Sequence, residues 1–265
     1  MQNLIKSELY KLRKSKVFIK ILLITLIPLL LGLGLHIFKP QGDEILSLIV
    51  TFINDRKYGF TMNDFSHIKK LSAQDFLFSA IGFTAVTYMV LVYFVGNIVV
   101  DEYVDKTIMH KLNYGYSRTS VYISKLIVSF IGVSIIALFP IILNTLIGGL
   151  MYEFGTFDIL KISKFLTVYM LLLYASTSFY ILLASIMKIK SELMGLGVLI
   201  LLLPALLTEK NVLYLTKYIP YGGLLDICGK YPSNEIMLSL SLNAIIVIII
   251  TSTLGCILIN KQDIK

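Results

Sequence analysis

The sequence has few charged residues and few of the residue types that carry chemistry. Among 265 residues, 15% are Asp, Glu, Lys or Arg, and there are three His, two Cys and no Trp. Cys228 and Cys256 are isolated and form no CxxC pattern, which argues against a zinc site or a disulfide. By contrast, 57% of the residues are hydrophobic and the mean hydropathy is +0.82. This composition is typical of a chain whose solvent is mostly lipid.

Sequence patterns of nucleotide-binding and metal-dependent enzymes are missing as well. There is no GxxxxGK[ST] phosphate loop, because the single Gly-Lys pair, Gly229–Lys230, is followed by Tyr231. There is no HExxH motif, and the predicted spans contain no pair of carboxylates. We therefore expect no catalytic residues, no metal site and no cofactor bound by this chain. The net charge of +8 does not indicate a nucleic-acid partner, since the basic residues flank apolar runs.

Six apolar runs are long enough to be membrane-spanning helices, because a helix needs about 20 apolar residues to cross the hydrocarbon core. They cover residues 17–38, 76–100, 121–152, 162–187, 193–210 and 236–259. The fifth run is the shortest and contains Pro204, so either a kink or a continuation into a re-entrant outer segment is expected there. We predict an all-α integral membrane protein with six transmembrane helices and one domain, residues 1–265.

The distribution of charge predicts the orientation. With the N-terminus inside, the inner segments contain 14 Lys and Arg against 6 Asp and Glu, and the outer segments contain 10 of each. Because basic residues accumulate on the cytoplasmic side, both termini are predicted to be cytoplasmic. The predicted location is the bacterial cytoplasmic membrane, with long outer segments at 39–75 and 209–235.

The first sixteen residues predict a basic amphipathic helix. Met1, Ile5, Leu9 and Leu12 share one helical face, and Lys and Arg side chains surround it. Such a helix lies in the membrane interface, with its cations near anionic lipid headgroups. A basic flank that only sets the topology is the alternative. A cleaved signal peptide is disfavoured, because no small-x-small site follows the apolar run.

The inner segment 101–120, between the second and third spans, is the most informative stretch. Val104, Ile108 and Leu112 recur every four residues, with Met109 beside them. A short amphipathic helix is predicted there, ending at residues 113–115. An interfacial loop is the alternative, but an amphipathic helix between two spans is well placed to present a surface to a partner.

This segment resembles the type-2 ATP-binding-cassette (ABC) exporter permeases. Members carry a Glu after the second span, a short Gly-Thr helix start, and then an Arg and a Lys that lead into the third span. The corresponding residues here are Glu102, Thr107 followed by Ile108, Arg118 and Lys125. Lys106 stands where the family usually has Gly. The amphipathic N-terminus and the six spans extend the resemblance over nearly the whole chain.

The resemblance implies a role for each inner helix. Residues 1–16 would form the interfacial elbow helix, and Tyr103–Leu112 would be the coupling helix that docks on an ABC ATPase subunit. The implied coupling residues are Glu102, Tyr103, Val104, Lys106, Thr107, Ile108, Met109, Leu112 and Arg118. Asp in place of Ile108 or Leu112 is then expected to abolish docking. ATP and Mg would be bound by the ATPase, and a second permease subunit would complete a homo- or heterodimer.

The substrate is predicted only by class. Small permeases of this family without extra domains are common in systems that expel antimicrobial or toxic peptides, drugs or ions, so an amphipathic or hydrophobic substrate is expected. Polar residues of the second span are candidates for a substrate path, although helix–helix hydrogen bonding is the competing interpretation. They are Thr84, Thr87, Tyr88, Tyr93 and Asn97. The alternative function is an ion-coupled or non-transport membrane protein without an ATPase partner.

Overall fold

A computed structural model describes residues 1–38, 50–53, 56–59, 72–82, 84–206, 219–227 and 232–262. The described chain is overwhelmingly helical, which confirms the predicted class. The helices are α1 Gln2–Lys14, α2 Lys16–Phe38, α3 Ala73–Ile81, α4 Thr84–Val95, α5 Asp101–Val104, α6 Thr107–Asn113, α7 Arg118–Met151, α8 Ile159–Met187, α9 Lys190–Leu206, α10 Pro220–Ile227 and α11 Asn234–Lys261. A π-helical turn, Gly96–Val100, joins α4 to α5.

Four helical segments are long and apolar enough to cross a membrane. They are Thr84–Val104, Arg118–Met151, Ile159–Met187 and Asn234–Lys261. They contain the second, third, fourth and sixth predicted runs, apart from the first residues of the second and the last residue of the third, Tyr152. Helices α2 and α9 cover the first and fifth runs, although residues 207–210 of the fifth run lie outside the described residues. The structure thus describes a membrane protein with four clear candidate spans.

Side chains cap the N-termini of the three longest helices. Ser117 accepts a hydrogen bond from the backbone N–H of Ser120, Asp158 from that of Lys161, and Ser233 from that of Ile236. Each cap satisfies a backbone donor that the first helical turn leaves free. The polar residues between the apolar runs therefore determine where these helices begin.

The second predicted span, 76–100, is not one continuous helix. It begins in α3, breaks at the turn that contains Gly82, and resumes at Thr84 as α4. The Thr84 hydroxyl donates to the carbonyl of Ile81 at 2.5 Å and so satisfies a backbone acceptor at the end of α3. A glycine and a threonine whose hydroxyl returns to the backbone favour such a break. The prediction of an unbroken helix there is wrong.

Secondary structure also occurs within both long segments that were predicted to lie outside the membrane. Residues Val50–Ile53 and Arg56–Gly59 pair as antiparallel strands β1 and β2. Helix α10 lies within 209–235 and is buried along most of its length, packed mainly against α8 and also against α11. The remainder of 39–75 and 209–235, including His67 and Cys228, lies largely outside the described residues.

Helix α8 is at the centre of the bundle. It packs most extensively against α11 and also contacts α7, α10 and α4. Its buried face includes small polar residues whose hydroxyls donate to the carbonyls of the preceding turn, such as Ser176 to Leu172 and Thr177 to Leu173. These groups need no partner from another helix, so they can be buried in an apolar bundle.

Glycines on α7 allow aromatic side chains to approach its backbone. A Cβ on Gly132 would overlap the ring of Phe94, and one on Gly148 would overlap Phe76. Both rings are buried at 2% exposure. The α4–α7 and α3–α7 contacts therefore depend on these small residues, as is common between membrane helices.

Gly132→Ala is expected to destabilise the bundle by about 1–3 kcal/mol, because the methyl group would force the Phe94 ring from its packed position. Gly195→Ala is the matched control, since no atom outside its own helix lies within 4 Å of a Cβ built there. That variant should be neutral or more stable by up to about 1 kcal/mol. The unfolding midpoints of both variants in detergent micelles test this, and equal midpoints would contradict the packing described.

Candidate functional site

The segment between α4 and α7 forms two short helices separated by a backbone break. Lys106 has a left-handed backbone, with φ = +56°, and it is the N-cap of α6, two residues after the end of α5. Left-handed backbone favours glycine, since Cβ crowds the chain in other residues. The family resemblance places a Gly at this position, so its backbone geometry agrees with the motif although its side chain does not.

This break separates residues that were predicted to share one helical face. Val104, at the end of α5, is 66% exposed, whereas Ile108 on α6 is 4% exposed and belongs to the core. Met109 and Leu112 are partly buried against that core. The prediction of a continuous helix from Tyr103 to Leu112 is wrong, because the four-residue repeat cannot continue through a left-handed residue.

A buried cluster of five charged groups lies beside this break. The Nζ of Lys125 is 2.6 Å from Oε1 of Glu102 and 2.7 Å from Oε2 of Glu8. The Nζ of Lys111 is 2.5 Å from Oε2 of Glu102 and also pairs with Glu8. Lys11 completes the cluster at 3.1 Å from Oε1 of Glu102. We call these five residues the ion cluster.

Four members of the ion cluster are almost fully buried. Glu8 is 3% exposed, Lys125 6%, and Glu102 and Lys111 8% each. Isolated ions at such depth would cost several kcal/mol each, but each carboxylate here has at least two ammonium partners. Lys125 also donates to the backbone carbonyl of Ile98 at 3.1 Å. The charges are therefore compensated within the protein.

The ion cluster favours the charged forms of its two residues on α1, Glu8 and Lys11. Burial by itself raises the pKa of the Glu8 carboxyl, but the charges of Lys125 and Lys111 outweigh burial, so that pKa lies below its ordinary value. Burial lowers the pKa of Lys11, but Glu102 and Glu8 outweigh it, and that pKa lies above its ordinary value. Both residues are charged near neutral pH.

The ion cluster joins four helices that are separate in the sequence. Glu8 and Lys11 come from α1, Glu102 from α5, Lys111 from α6 and Lys125 from α7. Helix α1 packs against α7 through a buried stripe at four-residue spacing, Leu4, Glu8 and Leu12. Of the four residues predicted to form the apolar face of α1, only Leu12 belongs to this buried stripe. Ile5 and Leu9 lie at its edge, and Met1 is 51% exposed.

The outer side of the two short helices is a mixed polar and apolar surface. Val104 is 66% exposed and Tyr114 is 84% exposed, and Lys106 and His110 are also exposed. We call these four residues the α5–α6 surface. Thr107 and Tyr103 are half-buried at its margin, and the ammonium of Lys188 lies 5.1 Å from the centre of the Tyr103 ring.

Arg118 contacts a different part of the protein from the other predicted coupling residues. Its guanidinium donates to the backbone carbonyls of Asn260, at 3.2 Å, and Gln262. These carbonyls lie at the C-terminal end of α11, where a cation also interacts favourably with the helix dipole. Arg118 therefore joins the start of α7 to the end of α11.

The residues predicted to line a substrate path do not share one open surface. Thr84, Thr87 and Tyr88 are buried, and the Tyr88 hydroxyl is 2.5 Å from that of Tyr180 on α8. Tyr93 is 40% exposed on the outside of the bundle. Asn97 donates to the carbonyl of Tyr93 at 2.7 Å and accepts from Lys190 at 3.0 Å. These contacts favour the helix-packing interpretation.

Glu8 and Lys111 were not among the predicted site residues. A signal for Glu8 was present, because it is the only acidic residue among the first 42 and it interrupts the apolar stripe of Leu4 and Leu12. Lys111 was assigned to the polar face of the predicted helix, but it lies three residues after Ile108 on the same face of α6 and is buried with it. Lys125 was identified only through the family motif.

Neither protein-family models nor curated proteins match this sequence. Within the described residues, no group of His, Cys, Asp and Glu is arranged to hold a metal ion. The site is therefore interpreted from its own geometry and from the motif resemblance.

Glu8→Gln is expected to destabilise the protein by about 3 kcal/mol at pH 7, because two buried ammonium groups lose an ionic partner. Since the Glu8 pKa is lower in the folded protein, its ionic contribution is complete above its ordinary value of 4.5 and is lost as the pH falls through the folded value. The difference between variant and wild type should therefore shrink in acid. Unfolding midpoints between pH 3 and 7 test this.

Glu235→Gln is the control, because Glu235 is exposed in the first turn of α11 and its loss should cost less than about 1 kcal/mol. A Glu8→Gln effect as small as this, or one that does not change with pH, would contradict the buried ionic role.

Lys106→Gly is expected to increase stability by up to about 1 kcal/mol, because glycine adopts the left-handed backbone without strain. Lys106→Val should instead destabilise, since a β-branched residue is strained in that conformation. Unfolding midpoints of the two variants should lie on opposite sides of wild type. Destabilisation by Gly would show that the left-handed turn does not form.

Proposed function

We propose that this chain is the permease subunit of an ABC exporter and moves an amphipathic or hydrophobic substrate, such as a peptide, toxin or drug, out of the cell or the membrane. ATP and Mg would be bound by a separate ATPase subunit. Helices α2, α4, α7, α8, α9 and α11 would be the six spans in the bacterial cytoplasmic membrane. The excess of basic residues in the inner segments supports cytoplasmic termini.

The observation that carries the proposal is the contact between two residues of the family motif. Glu102 and Lys125 are 23 positions apart, and their charged groups lie 2.6 Å apart in a buried site. Thr107, the helix start of the motif, begins α6 directly after the left-handed residue at the usual Gly position. If the resemblance to the motif were incidental, there would be no reason to expect Glu102 and Lys125 to form an ion pair.

The α5–α6 surface is the proposed docking site for the ATPase. It combines apolar side chains, Val104 and Tyr114, with a lysine and a histidine, a composition suited to a protein groove. Ile108 and Leu112 would hold α6 on the permease rather than contact the partner. Asp at Ile108 would therefore act by disturbing the core, a different cause from the one we first expected.

The ion cluster would transmit motion from the docked ATPase to the bundle. Displacing α6 alone would separate Lys111 from both Glu8 and Glu102, so this lysine would lose its ionic partners. The two carboxylates would keep Lys125 but lose part of their charge compensation, which is costly in a buried site. Movement of α6 together with α1, α5 and the start of α7 keeps the pairs intact. In this proposal α1 is the elbow helix, and a second permease subunit, identical or related, completes the transporter. The motion would alternately open the substrate path toward either side of the membrane.

Replacing both Val104 and Tyr114 with Ala is expected to weaken binding of the ATPase encoded beside the permease by more than about tenfold, because two exposed contact side chains are lost. Stability should change little, since neither side chain is buried. Binding is measured by titrating the purified ATPase onto the permease in detergent. Co-elution and ATP turnover give a second readout.

Leu160→Ala is the control, because Leu160 is 74% exposed but lies at the opposite end of the bundle, near the start of α8. If the double variant binds as wild type does, the α5–α6 surface is not the docking site. If wild type binds no ATPase at all, the alternative of an ion-coupled or non-transport membrane protein takes precedence.

A further inference from the structure

A cleft of about 260 Å³ lies between α1, the start of α2, the α4–α5 segment and α7. One part of its wall is apolar and includes Phe18, Ile21, Phe94 and Val128. The rings of Phe18 and Phe94 pack at 5.6 Å between centroids. The other part carries charged and hydroxyl groups from the ion cluster and its surroundings. The cleft is therefore apolar at one end and polar at the other.

Groups of both signs remain accessible at the polar end. Lys11 has a side chain that is 53% exposed, although it pairs with Glu102. Asp105 is exposed and has no ion-pair partner within the described part of the chain. Asp101 is 40% exposed beside Lys190, at 2.6 Å. The hydroxyls of Ser15 and Thr107 also line the cleft. A purely cationic or purely anionic ligand would use only half of these groups.

We propose that this cleft binds the headgroup of a phospholipid that carries a primary ammonium, from the membrane leaflet nearest α1. The phosphate would accept hydrogen bonds from Lys11 and Ser15, and the ammonium would donate to Asp105 and Asp101. The first part of an acyl chain would lie against Val17 and Ile98, the half-buried apolar side chains that line the cleft. Charge complementarity selects this occupant, because it presents both charges within one headgroup.

The size of the cleft agrees with partial enclosure of a lipid. Pockets that enclose drug-sized ligands span about 300–1,000 Å³. A cleft of about 260 Å³ holds a headgroup and the beginning of a chain, and the remainder of the lipid would stay in the bilayer. The first turns of α2 also expose Ile19 and Leu23, which present an apolar surface to lipid.

This inference does not require ATP-driven transport. It requires only that the chain lies in a membrane with α1 near one surface, and binding is measured on the permease alone. Naming that leaflet as the cytoplasmic one rests on the proposed orientation. Failure of lipid binding would therefore leave the ATPase proposal untouched, and failure of ATPase docking would leave the lipid site untouched.

The test uses delipidated full-length protein and short-chain phospholipids with identical chains, with binding measured by native mass spectrometry. Phosphatidylethanolamine should bind about tenfold more tightly than phosphatidylcholine, whose quaternary ammonium has no N–H to donate to a carboxylate. Asp105→Asn should remove most of this preference, and Lys11→Gln should weaken binding of both lipids. Lys6→Gln, exposed on the same helix but outside the cleft, should change neither.

Equal affinity for the two headgroups in wild type would overturn the proposal, as would an unchanged preference in Asp105→Asn. Tighter binding of phosphatidylglycerol, or of a long-chain amine without a phosphate, would also contradict it, because each uses only one of the two charges. The unfolding midpoint of every variant is measured beside its affinity, so that loss of binding is separated from loss of fold.

Discussion

A buried charge must have partners inside the protein, and this requirement determines how one end of the bundle is assembled. Glu8 and Glu102 are nearly inaccessible, and so are Lys111 and Lys125. None of the four could be buried alone without a penalty of several kcal/mol. Helices α1, α5, α6 and α7 therefore have to come together for any of them to pack. The ion cluster therefore constrains the packing of these four helices, whatever function it also has.

Two backbone features bring the cluster together. The left-handed residue Lys106 separates α5 from α6, which turns Lys111 and Ile108 inward and leaves Val104 outside. The π-helical turn Gly96–Val100 directly precedes α5 and supplies the Ile98 carbonyl that Lys125 binds. Such turns are common at functional sites, because they redirect side chains without ending the helix. An exposed surface and a buried ionic contact are thereby placed on opposite sides of two short helices.

The sequence predicts the helical class and the positions of the long helices well, because a membrane helix requires a long apolar run and its ends require capping residues such as Ser117 and Ser233. It does not predict the break at Gly82 or the buried helix α10, since apolar composition continues through a break and a short buried helix has no periodic signal of its own. In the site, the motif identifies Glu102 as a coupling residue and includes Lys125, but it does not predict that the two are in contact. Glu8 and Lys111 are not predicted, because their burial depends on contacts between distant helices and on the conformation of one lysine.

A double-mutant cycle between Glu8 and Lys125 tests most directly whether the ion cluster ties α1 to α7. Unfolding free energies are measured in detergent for wild type, Glu8→Gln, Lys125→Met and the double variant. If the two groups interact as the structure indicates, the double variant loses less stability than the sum of the single variants, with a coupling energy of about 1–3 kcal/mol. Additive losses would mean that the two charges are not partners, and the interpretation of α1, α5, α6 and α7 as one connected unit would be wrong.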